Sequence, residues 1–272
     1  MTGPGSSVQL FQVDAFTETP FKGNPAGVCL LSHQRPDDWM RGVAAEMNLS
    51  ETAFVLEQSD GFGLRWFTPK TEVSLCGHAT LASAHVLWEE GIVAAGKAIR
   101  FQTLSGTLLA RQDGKLVELD FPTKEVEPAP ALPALNEALG ITPTFTGACE
   151  GRNGHTYLLE VESEEAVRAI QPDFQKVMTA GGRTAIVTAR TASGDFDFVS
   201  RFFAPAIGIN EDPVTGSAHC YLAPYWGRKL GKRDLIGHQV SARSGVVRCH
   251  WRGDRVLLGG RAVTVFRASL LI

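Results

Sequence analysis

The sequence lacks the features that mark a nucleic-acid-binding, membrane-spanning or disulfide-stapled protein. Of its 272 residues, 26 are basic and 29 acidic, and no run of lysine or arginine is long enough to follow a phosphate backbone. No apolar stretch approaches the roughly 18 residues that a membrane helix requires. The five cysteines are scattered, odd in number and without a C-x-x-C pair, which argues against a disulfide framework or a structural zinc site. We therefore expect neither nucleic acid nor a membrane as a partner.

A secretory signal is also missing from the beginning of the sequence. Positions 1–7, M-T-G-P-G-S-S, contain neither a basic segment nor an apolar one, so we expect a cytoplasmic protein. Apolar residues are plentiful: 44% of the chain is hydrophobic and 20% is charged. This composition supports a large core, and the length suits two domains.

One short pattern occurs twice. Residues 76–85 read C-G-H-A-T-L-A-S-A-H and residues 215–224 read T-G-S-A-H-C-Y-L-A-P, which places Gly77 and Gly216 139 positions apart. Other pairs share or nearly share this offset: S-G at 105–106 and 244–245, Gly114 and Gly253, and L-R-W-F-T-P (64–69) and S-R-F-F-A-P (200–205). The agreement indicates an internal repeat. Around the later glycines, both copies predict a strand, a turn and a second strand.

The repeat favours an α+β fold with two pseudo-symmetric halves. A segment rich in proline and acidic residues, F-P-T-K-E-V-E-P-A-P-A-L-P, separates the halves and suits a linker. We place the halves at 1–121 and 136–261 and the linker at 122–135. A last strand, 262–272, can return to the first half.

Each repeated glycine predicts the start of a helix. The first helix runs from Gly77 to Gly91, since glycine commonly follows a helix C-terminus. The second begins at Gly216 and contains Pro224, which we expect to kink or shorten it, because proline removes a backbone hydrogen bond. Helix starts offer backbone N–H groups and a favourable dipole to an anion, such as a small carboxylate. The alternative is that each glycine only allows close packing, but two copies in register favour a binding site.

The polar residues at the two helix starts differ. His78 corresponds to Ser217 and Cys76 to Thr215, whereas Asp212 has no acidic counterpart in the first copy. An aspartate before proline is commonly a turn residue, but its place just before a helix start favours a ligand-facing role.

Glu51 is a further acidic candidate. It lies in N-L-S-E-T-A-F-V (48–55), just before an apolar strand. Asn48 and Ser50 are cap and turn residues, so a solvated glutamate at a helix end is an alternative. Composition alone does not distinguish Glu51 from the other glutamates.

Four motifs resemble the phenazine-biosynthesis isomerase (PhzF-like) family, which shares its fold with diaminopimelate epimerase and proline racemase. They are V-D-A-F-T-x-x-P-F-x-G-N-P-A-G-V (13–28), N-L-S-E-T-A-F-V (48–55), L-R-W-F-T-P-x-x-E-V-x-L-C-G-H-A-T-L-A-S-A (64–84) and E-D-P-V-T-G-S-A-H (211–219). The resemblance spans nearly the whole chain and is greatest to a branch of unassigned activity, which includes the vertebrate phenazine-biosynthesis-like domain proteins. It implies that each half is a barrel-like, mostly antiparallel sheet around a central helix, with the active site in the cleft between the halves.

The resemblance also implies a cofactor-free isomerase, a homodimer, that acts on a small carboxylate-bearing molecule. The family's base corresponds to Glu51. The residues that correspond to the family's substrate-lining positions are His78, Asp212, Ser217 and Asn24, with backbone donors at Gly77 and Gly216 for a carboxylate. A turn role before Pro25 is an equal alternative for Asn24.

The cysteines distinguish two mechanisms. Epimerases and racemases of this fold use two facing cysteines, and here Cys76 takes the first position but Thr215 takes the second. A threonine hydroxyl is far too weak an acid to replace a thiol, whose pKa is near 8.5, so the two-thiol mechanism is excluded. We expect Cys76 to line the cleft or lie buried, and an epimerase variant that uses Cys76 alone is an alternative.

A one-carboxylate isomerase remains. Glu51 would remove a proton from one carbon and return it elsewhere on the same face, while His78 and the helix starts stabilise the developing negative charge. His78, His85 and His219 suggest a metal only weakly, because no carboxylate or cysteine completes the set at helical spacing, so we expect no metal. A catalytically idle interaction protein is the other alternative. The simultaneous presence of four polar site residues argues against it: Glu51, His78, Asp212 and Ser217.

Overall fold

The computed structural model describes residues 8–151, 154–182, 184–192 and 194–271. The chain divides into two compact units. The first holds the described residues up to Asp120 and those from Gly259 onward, and the second is Phe121–Leu258. Positions 1–7 and 272, which fall in the predicted ranges 1–121 and 262–272, lie outside the described residues.

The first unit is built mainly from strands. Its elements are β1 (Val8–Ala15), β2 (Asn24–Leu31), α1 (Asp37–Met47), β3 (Thr52–Gln58), β4 (Gly61–Phe67), β5 (Glu72–Val73), α2 (Gly77–Glu89), β6 (Ile99–Thr103), β7 (Gly106–Asp113), β8 (Leu116–Pro122) and, from the end of the chain, β18 (Ala262–Leu270). β1 pairs antiparallel with both β2 and β18. The pairs β2–β3 and β4–β6 are parallel, and β3–β4, β4–β5, β6–β7 and β7–β8 are antiparallel.

The second unit has more helices on its periphery. Its elements are β9 (Glu127–Pro128), α3 (Pro133–Leu139), β10 (Phe145–Gly151), β11 (Gly154–Glu160), α4 (Glu164–Arg168), α5 (Phe174–Thr179), β12 (Thr184–Arg190), β13 (Phe198–Ala204), a 3₁₀ turn (Pro205–Ile207), β14 (Ile209–Asp212), α6 (Gly216–Leu230), β15 (Asp234–Gln239), β16 (Gly245–Trp251) and β17 (Arg255–Gly260). The pairs β11–β12 and β13–β15 are parallel. The pairs β9–β10, β10–β11, β12–β13, β13–β14 and β15–β16 are antiparallel.

The two units repeat one topology. The strands β2, β3, β4, β6 and β7 have the same order of parallel and antiparallel partners as β11, β12, β13, β15 and β16. In each unit a short strand, β5 or β14, leads into the long helix. Turns at Gly114 and Gly253, both with positive φ, follow β7 and β16. The predicted α+β fold of two similar halves, with its Gly-containing strand–turn–strand segments, is confirmed.

The helix α2 is the central helix of the first unit. Every residue of it except Gly77, His85 and Glu89 is buried, as expected of a helix that is apolar or small-sided all round. It packs against β1, β2, β3 and β18. The helix ends before Gly91, whose φ of 69° is the left-handed conformation that favours glycine, so the predicted helix is confirmed.

The helix α6 corrects one of the two outcomes expected for Pro224, a shortened helix. The helix continues through Pro224 to Leu230, so the proline does not shorten it. Without an N–H, Pro224 leaves the carbonyl of Cys220, one turn earlier, without its usual helical donor. That carbonyl instead accepts a hydrogen bond from the backbone N–H of Lys124 at 3.0 Å. A donor from a distant part of the sequence therefore satisfies the carbonyl that the proline leaves without its helical partner.

Both units carry the same arginine–glutamate pair. Arg65 in β4 donates two hydrogen bonds of 2.7 Å to Glu72, and Arg201 in β13 donates bonds of 2.7 and 2.8 Å to Glu211. Each pair ties a long strand to the short strand that precedes the central helix. The glutamates are 139 positions apart, so this contact belongs to the repeat.

The segment predicted as a linker, 122–135, contains β9 and the first residues of α3. The strand β18 pairs with β1 within the first unit. Among the described helices, none combines the length and the apolar character that crossing a membrane demands.

Candidate active site

Glu51 lies where three elements of the first unit meet. The helix α1 ends at Met47, and Asn48 adopts the left-handed conformation with φ 50°, which turns the chain towards β3. The carbonyl of Glu51 accepts a hydrogen bond from Gly27 of β2 at 3.3 Å, just before the parallel pairing of β2 and β3 begins. The side chain is only 12% exposed, so the alternative of a solvated glutamate is wrong.

His78 and Cys76 stand against the Glu51 carboxyl group. Both come from the start of α2, and both are buried. The Nε2 atom of His78 lies 3.5 Å from Oε2 of Glu51 and 3.4 Å from Oγ of Ser50. The Nδ1 atom of the same ring lies 3.5 Å from Sγ of Cys76. The structure therefore gathers a carboxyl, an imidazole and a thiol into one cluster, which we call the Glu51 cluster.

Burial changes the acidity of Glu51. Removal from water raises the pKa of the Glu51 carboxyl above its ordinary value of 4.5, while hydrogen bonds from the side chains of Ser50 and Cys76 oppose this rise. A carboxyl whose pKa moves towards neutrality is better suited to receive and return a proton. The Glu51 pKa is therefore shifted in the direction that suits a general acid/base.

The Glu51 cluster also resembles a ligand set for a cation. Glu51, Cys76 and His78 each offer a donor atom, and these atoms lie within 4.8 Å of one another. Carboxylate, thiolate and imidazole are all zinc ligands. Helical spacing alone does not reveal this set, because it combines the start of α2 with the residue before β3. The Cys76 side chain also hydrogen-bonds to the Glu51 carboxyl.

Asp212 belongs to a second cluster, in the second unit. Its Oδ2 atom accepts a hydrogen bond from the hydroxyl of Thr215 at 2.5 Å. The buried side chain of Gln239, at the end of β15, bonds to both the Asp212 carbonyl and Thr215. Sequence reasoning missed Gln239, because nothing in the pattern around it indicates a contact 24 positions away.

The other predicted positions lie in these two units as follows. Gly77 is the first residue of α2 and is half-buried, and Gly216 is the buried first residue of α6. Ser217, which follows Gly216, is exposed. Asn24 is fully buried at the start of β2, opposite Ala15. Neither helix receives a side-chain hydrogen bond from its N-cap residue, which favours an external acceptor for the first-turn N–H groups.

His219 anchors the start of α6 from inside the second unit. Its Nδ1 atom lies 2.8 Å from the Thr215 carbonyl, so Nδ1 carries the proton and donates. The ring is fully buried and packs against Phe198. This places His219 in the core of the second unit.

We expect the His219 ring to stay neutral well below pH 6.5. Burial lowers its pKa to about 4, against the opposing hydrogen bond to Thr215. Because histidine in an unfolded chain titrates near 6.5, the unfolded state binds the extra proton between these values. The free energy of unfolding therefore falls as pH drops through this window, by up to about 3 kcal/mol. Ring NMR signals that titrate near pH 6.5 would contradict this assignment.

The chain is similar to proteins of one named family. The family model described as phenazine biosynthesis-like protein (PhzC-PhzF) matches residues 13–268. A Halalkalibacterium halodurans protein named an uncharacterized isomerase is 50% identical over 264 residues, which cover 97% of this chain and 98% of that protein. The human phenazine biosynthesis-like domain-containing protein is 38% identical, over 96% of this chain and 98% of its own.

Solved structures agree with this similarity. A PhzF-family protein from Enterococcus faecalis has a TM-score of 0.92 and 41% identity, and the match covers 98% of this chain and 100% of that one. A probable proline racemase from Agrobacterium radiobacter has a TM-score of 0.65 at 11% identity, covering 97% of this chain and 93% of that one. The second likeness shows the fold alone.

Proposed function

The chain belongs to the phenazine biosynthesis-like (PhzC-PhzF) family, as its four motifs predict, and on this premise we propose that it is an isomerase with Glu51 as its general acid/base. The substrate is a small carboxylate-bearing molecule, and the reaction moves a proton between two of its carbons without a cofactor. One observation carries the proposal: a mostly buried carboxyl of raised pKa lies against an imidazole at the start of a central helix.

The proposed reaction has two steps. The ionised Glu51 carboxylate removes a proton from a carbon beside a carbonyl or a double bond, and the C–H electron pair spreads into that unsaturated group. The protonated carboxyl then gives the same proton to another carbon on the same face. His78 stabilises the negative charge that develops between the steps, and the shielding of Glu51 from water limits loss of the proton.

Backbone donors at the helix starts support a carboxylate substrate. Neither Cys76 nor Thr215 gives its helix a side-chain cap. The first turn of each helix, which holds Gly77 in α2 and Gly216 in α6, can therefore attract an anion. We keep Asp212 and Ser217 as proposed substrate-lining residues, as the family resemblance implies, and Asn24 as a further one. A cytoplasmic homodimer is likewise proposed, and light scattering in solution tests the oligomeric state.

We expect turnover to fall as the pH is lowered. The base must be ionised, and its pKa lies above 4.5, so the acid limb of kcat/KM should have its midpoint above pH 4.5. The measurement is the initial rate from about pH 4 to pH 8, with the fraction folded followed by circular dichroism at each pH. A rate that stays constant down to pH 4.5 in the folded protein would rule out Glu51 as the base.

Solvent deuterium tests the function itself. The native protein is incubated in D₂O with a panel of small amino, hydroxy and unsaturated carboxylic acids, and NMR detects C–D bonds and new isomers. Incorporation that needs the protein supports the isomerase. Interconversion of mirror-image α-carbons that depends on Cys76 and not on Glu51 would instead favour the Cys76 epimerase. If no compound exchanges or shifts the melting temperature, the idle interaction protein is favoured.

A further inference from the structure

Gln239 is the buried residue that connects both ends of the loop between β14 and α6. It is fully buried, and its side-chain amide makes three hydrogen bonds to this loop. We propose that Gln239 is a positioning residue that sets the orientation of the Asp212 carboxyl group through Thr215. The proposal rests on the proposed function, because it supposes that the Asp212 carboxyl meets the substrate.

The three bonds fix the loop from a single planar group. The amide oxygen accepts from the Thr215 backbone N–H at 2.8 Å. The amide nitrogen donates to the Asp212 carbonyl at 2.7 Å and to the Thr215 hydroxyl oxygen at 3.2 Å. Since one rigid amide holds both residues, Asp212 and the first turn of α6 cannot move independently of each other.

Gln239 also determines the direction of the proton on the Thr215 hydroxyl group. A hydroxyl group has one proton to donate and two lone pairs to accept with. Gln239 donates into a lone pair of the Thr215 oxygen, so the hydroxyl proton is directed to Oδ2 of Asp212 at 2.5 Å. The Asp212 carboxyl is therefore held by a donor whose own direction is set by Gln239.

Neighbouring contacts hold the same loop from the core. The hydroxyl of Ser241 donates to the Pro213 carbonyl at 2.7 Å, and its oxygen accepts from the backbone N–H of Ser244 at 3.0 Å. His219 binds the Thr215 carbonyl. These contacts fix the backbone, whereas the chain of Gln239 and Thr215 reaches the carboxyl oxygen of Asp212.

The first unit places a carboxyl in a similar setting. The Glu51 carboxyl accepts a hydrogen bond from Cys76, the N-cap residue of α2, as the Asp212 carboxyl accepts one from Thr215, the N-cap residue of α6. Thr215 stands at the repeat position of Cys76. The threonine that excludes a two-thiol mechanism thus has a role of its own: it orients an acid.

The test compares four variants. Gln239→Leu removes the amide, Thr215→Val removes the hydroxyl, and Thr215→Ser retains the hydroxyl. The control Thr188→Val removes a buried hydroxyl of the same unit, whose bonds go to the Val199 carbonyl and Trp226. The primary measurement is the side-chain carboxyl ¹³C signal of Asp212 in aspartate-labelled protein, assigned by its loss in Asp212→Asn. Melting temperatures show which variants are folded.

We expect the Asp212 signal to move in Gln239→Leu and Thr215→Val, and to return to its native position in Thr215→Ser. It should stay unchanged in Thr188→Val. With any compound that the native protein exchanges, kcat should fall by about 100-fold in the first two variants and recover in Thr215→Ser. If Gln239→Leu does not fold, the two Thr215 variants decide the outcome.

An Asp212 signal that is unchanged in Gln239→Leu and Thr215→Val would overturn the proposal, as would native kcat in those variants. Failure of the proposed function has a different signature: the native protein exchanges no compound, whatever the carboxyl signal does. A loss of stability alone, equal to that of Thr188→Val and without a shifted signal, would reduce Gln239 to a structural residue and would also overturn the proposal.

Discussion

The Glu51→Gln variant is expected to lose turnover by about 10²–10⁴-fold, the range typical of a removed general acid/base. Glutamine has nearly the same shape as glutamate but can neither accept nor return a proton at the carbon. His78 and Cys76 contact the Glu51 carboxyl, and the amide of the variant leaves both with a polar partner. The fold should therefore be retained. Initial rates of product formation, followed by NMR, measure the effect.

The same variant should lose turnover but gain stability. Because burial raises the pKa of Glu51 in the folded state above 4.5, its favourable contribution is present at low pH and is lost as the pH rises through the raised pKa. Glu51→Gln should therefore gain stability relative to the native protein as pH increases. The control is Glu57→Gln, an exposed glutamate of β3, the strand that follows Glu51, which should change neither rate nor stability. Equal turnover in Glu51→Gln and Glu57→Gln would contradict the role of Glu51 as the general acid/base.

The Arg201→Met variant is expected to destabilise the protein by about 3 kcal/mol, because it leaves a mostly buried carboxylate without its partner. The side chains of Arg201 and Glu211 are 11% and 18% exposed. Arg201 also donates to the backbone carbonyl of Ile170 at 2.8 Å. The pair thus connects β13, β14 and the segment after α4, directly beside Asp212.

The repeat supplies the comparison. The equivalent Arg65 is 30% exposed, and its partner Glu72 is 21% exposed. Water can therefore solvate the Glu72 carboxylate that Arg65→Met leaves unpaired, and the loss of stability should be smaller than in Arg201→Met. The exposed Lys176 of the second unit pairs with Glu137 at 3.4 Å, and Lys176→Met should cost less than about 1 kcal/mol. Urea unfolding gives the three free energies. A loss in Arg201→Met no larger than that in Lys176→Met would contradict the structural role of the pair.

Local sequence patterns predicted the repeated architecture well. The paired glycines predicted both helix starts, and Gly114 and Gly253 predicted the turns between strands, because these features depend on residues close together in the chain. The continuation of α6 through Pro224 could not be predicted in this way. It depends on Lys124, whose N–H reaches the Cys220 carbonyl from another segment, and a pattern around the proline contains no information about that contact.

The candidate site was predictable only in part. Composition did not separate Glu51 from other glutamates, and the family resemblance was needed to propose it. Its contact with His78 spans 27 positions and arises because α2 begins beside the residue before β3. No local pattern in the sequence indicated Gln239, since a glutamine in a strand does not show which residues it will contact. Arg65 and Arg201 did have one, because both stand in the repeated motifs.

The most direct test of the account is the fate of one hydrogen. A substrate found in the deuterium panel is prepared with deuterium at the carbon that loses its proton, and is converted in ordinary water. Because the proposed carrier, the Glu51 carboxyl, is only 12% exposed, the account predicts that part of the first product keeps the deuterium at the carbon that gains it. Complete replacement of the label by solvent hydrogen, with unchanged conversion by Glu51→Gln, would contradict it.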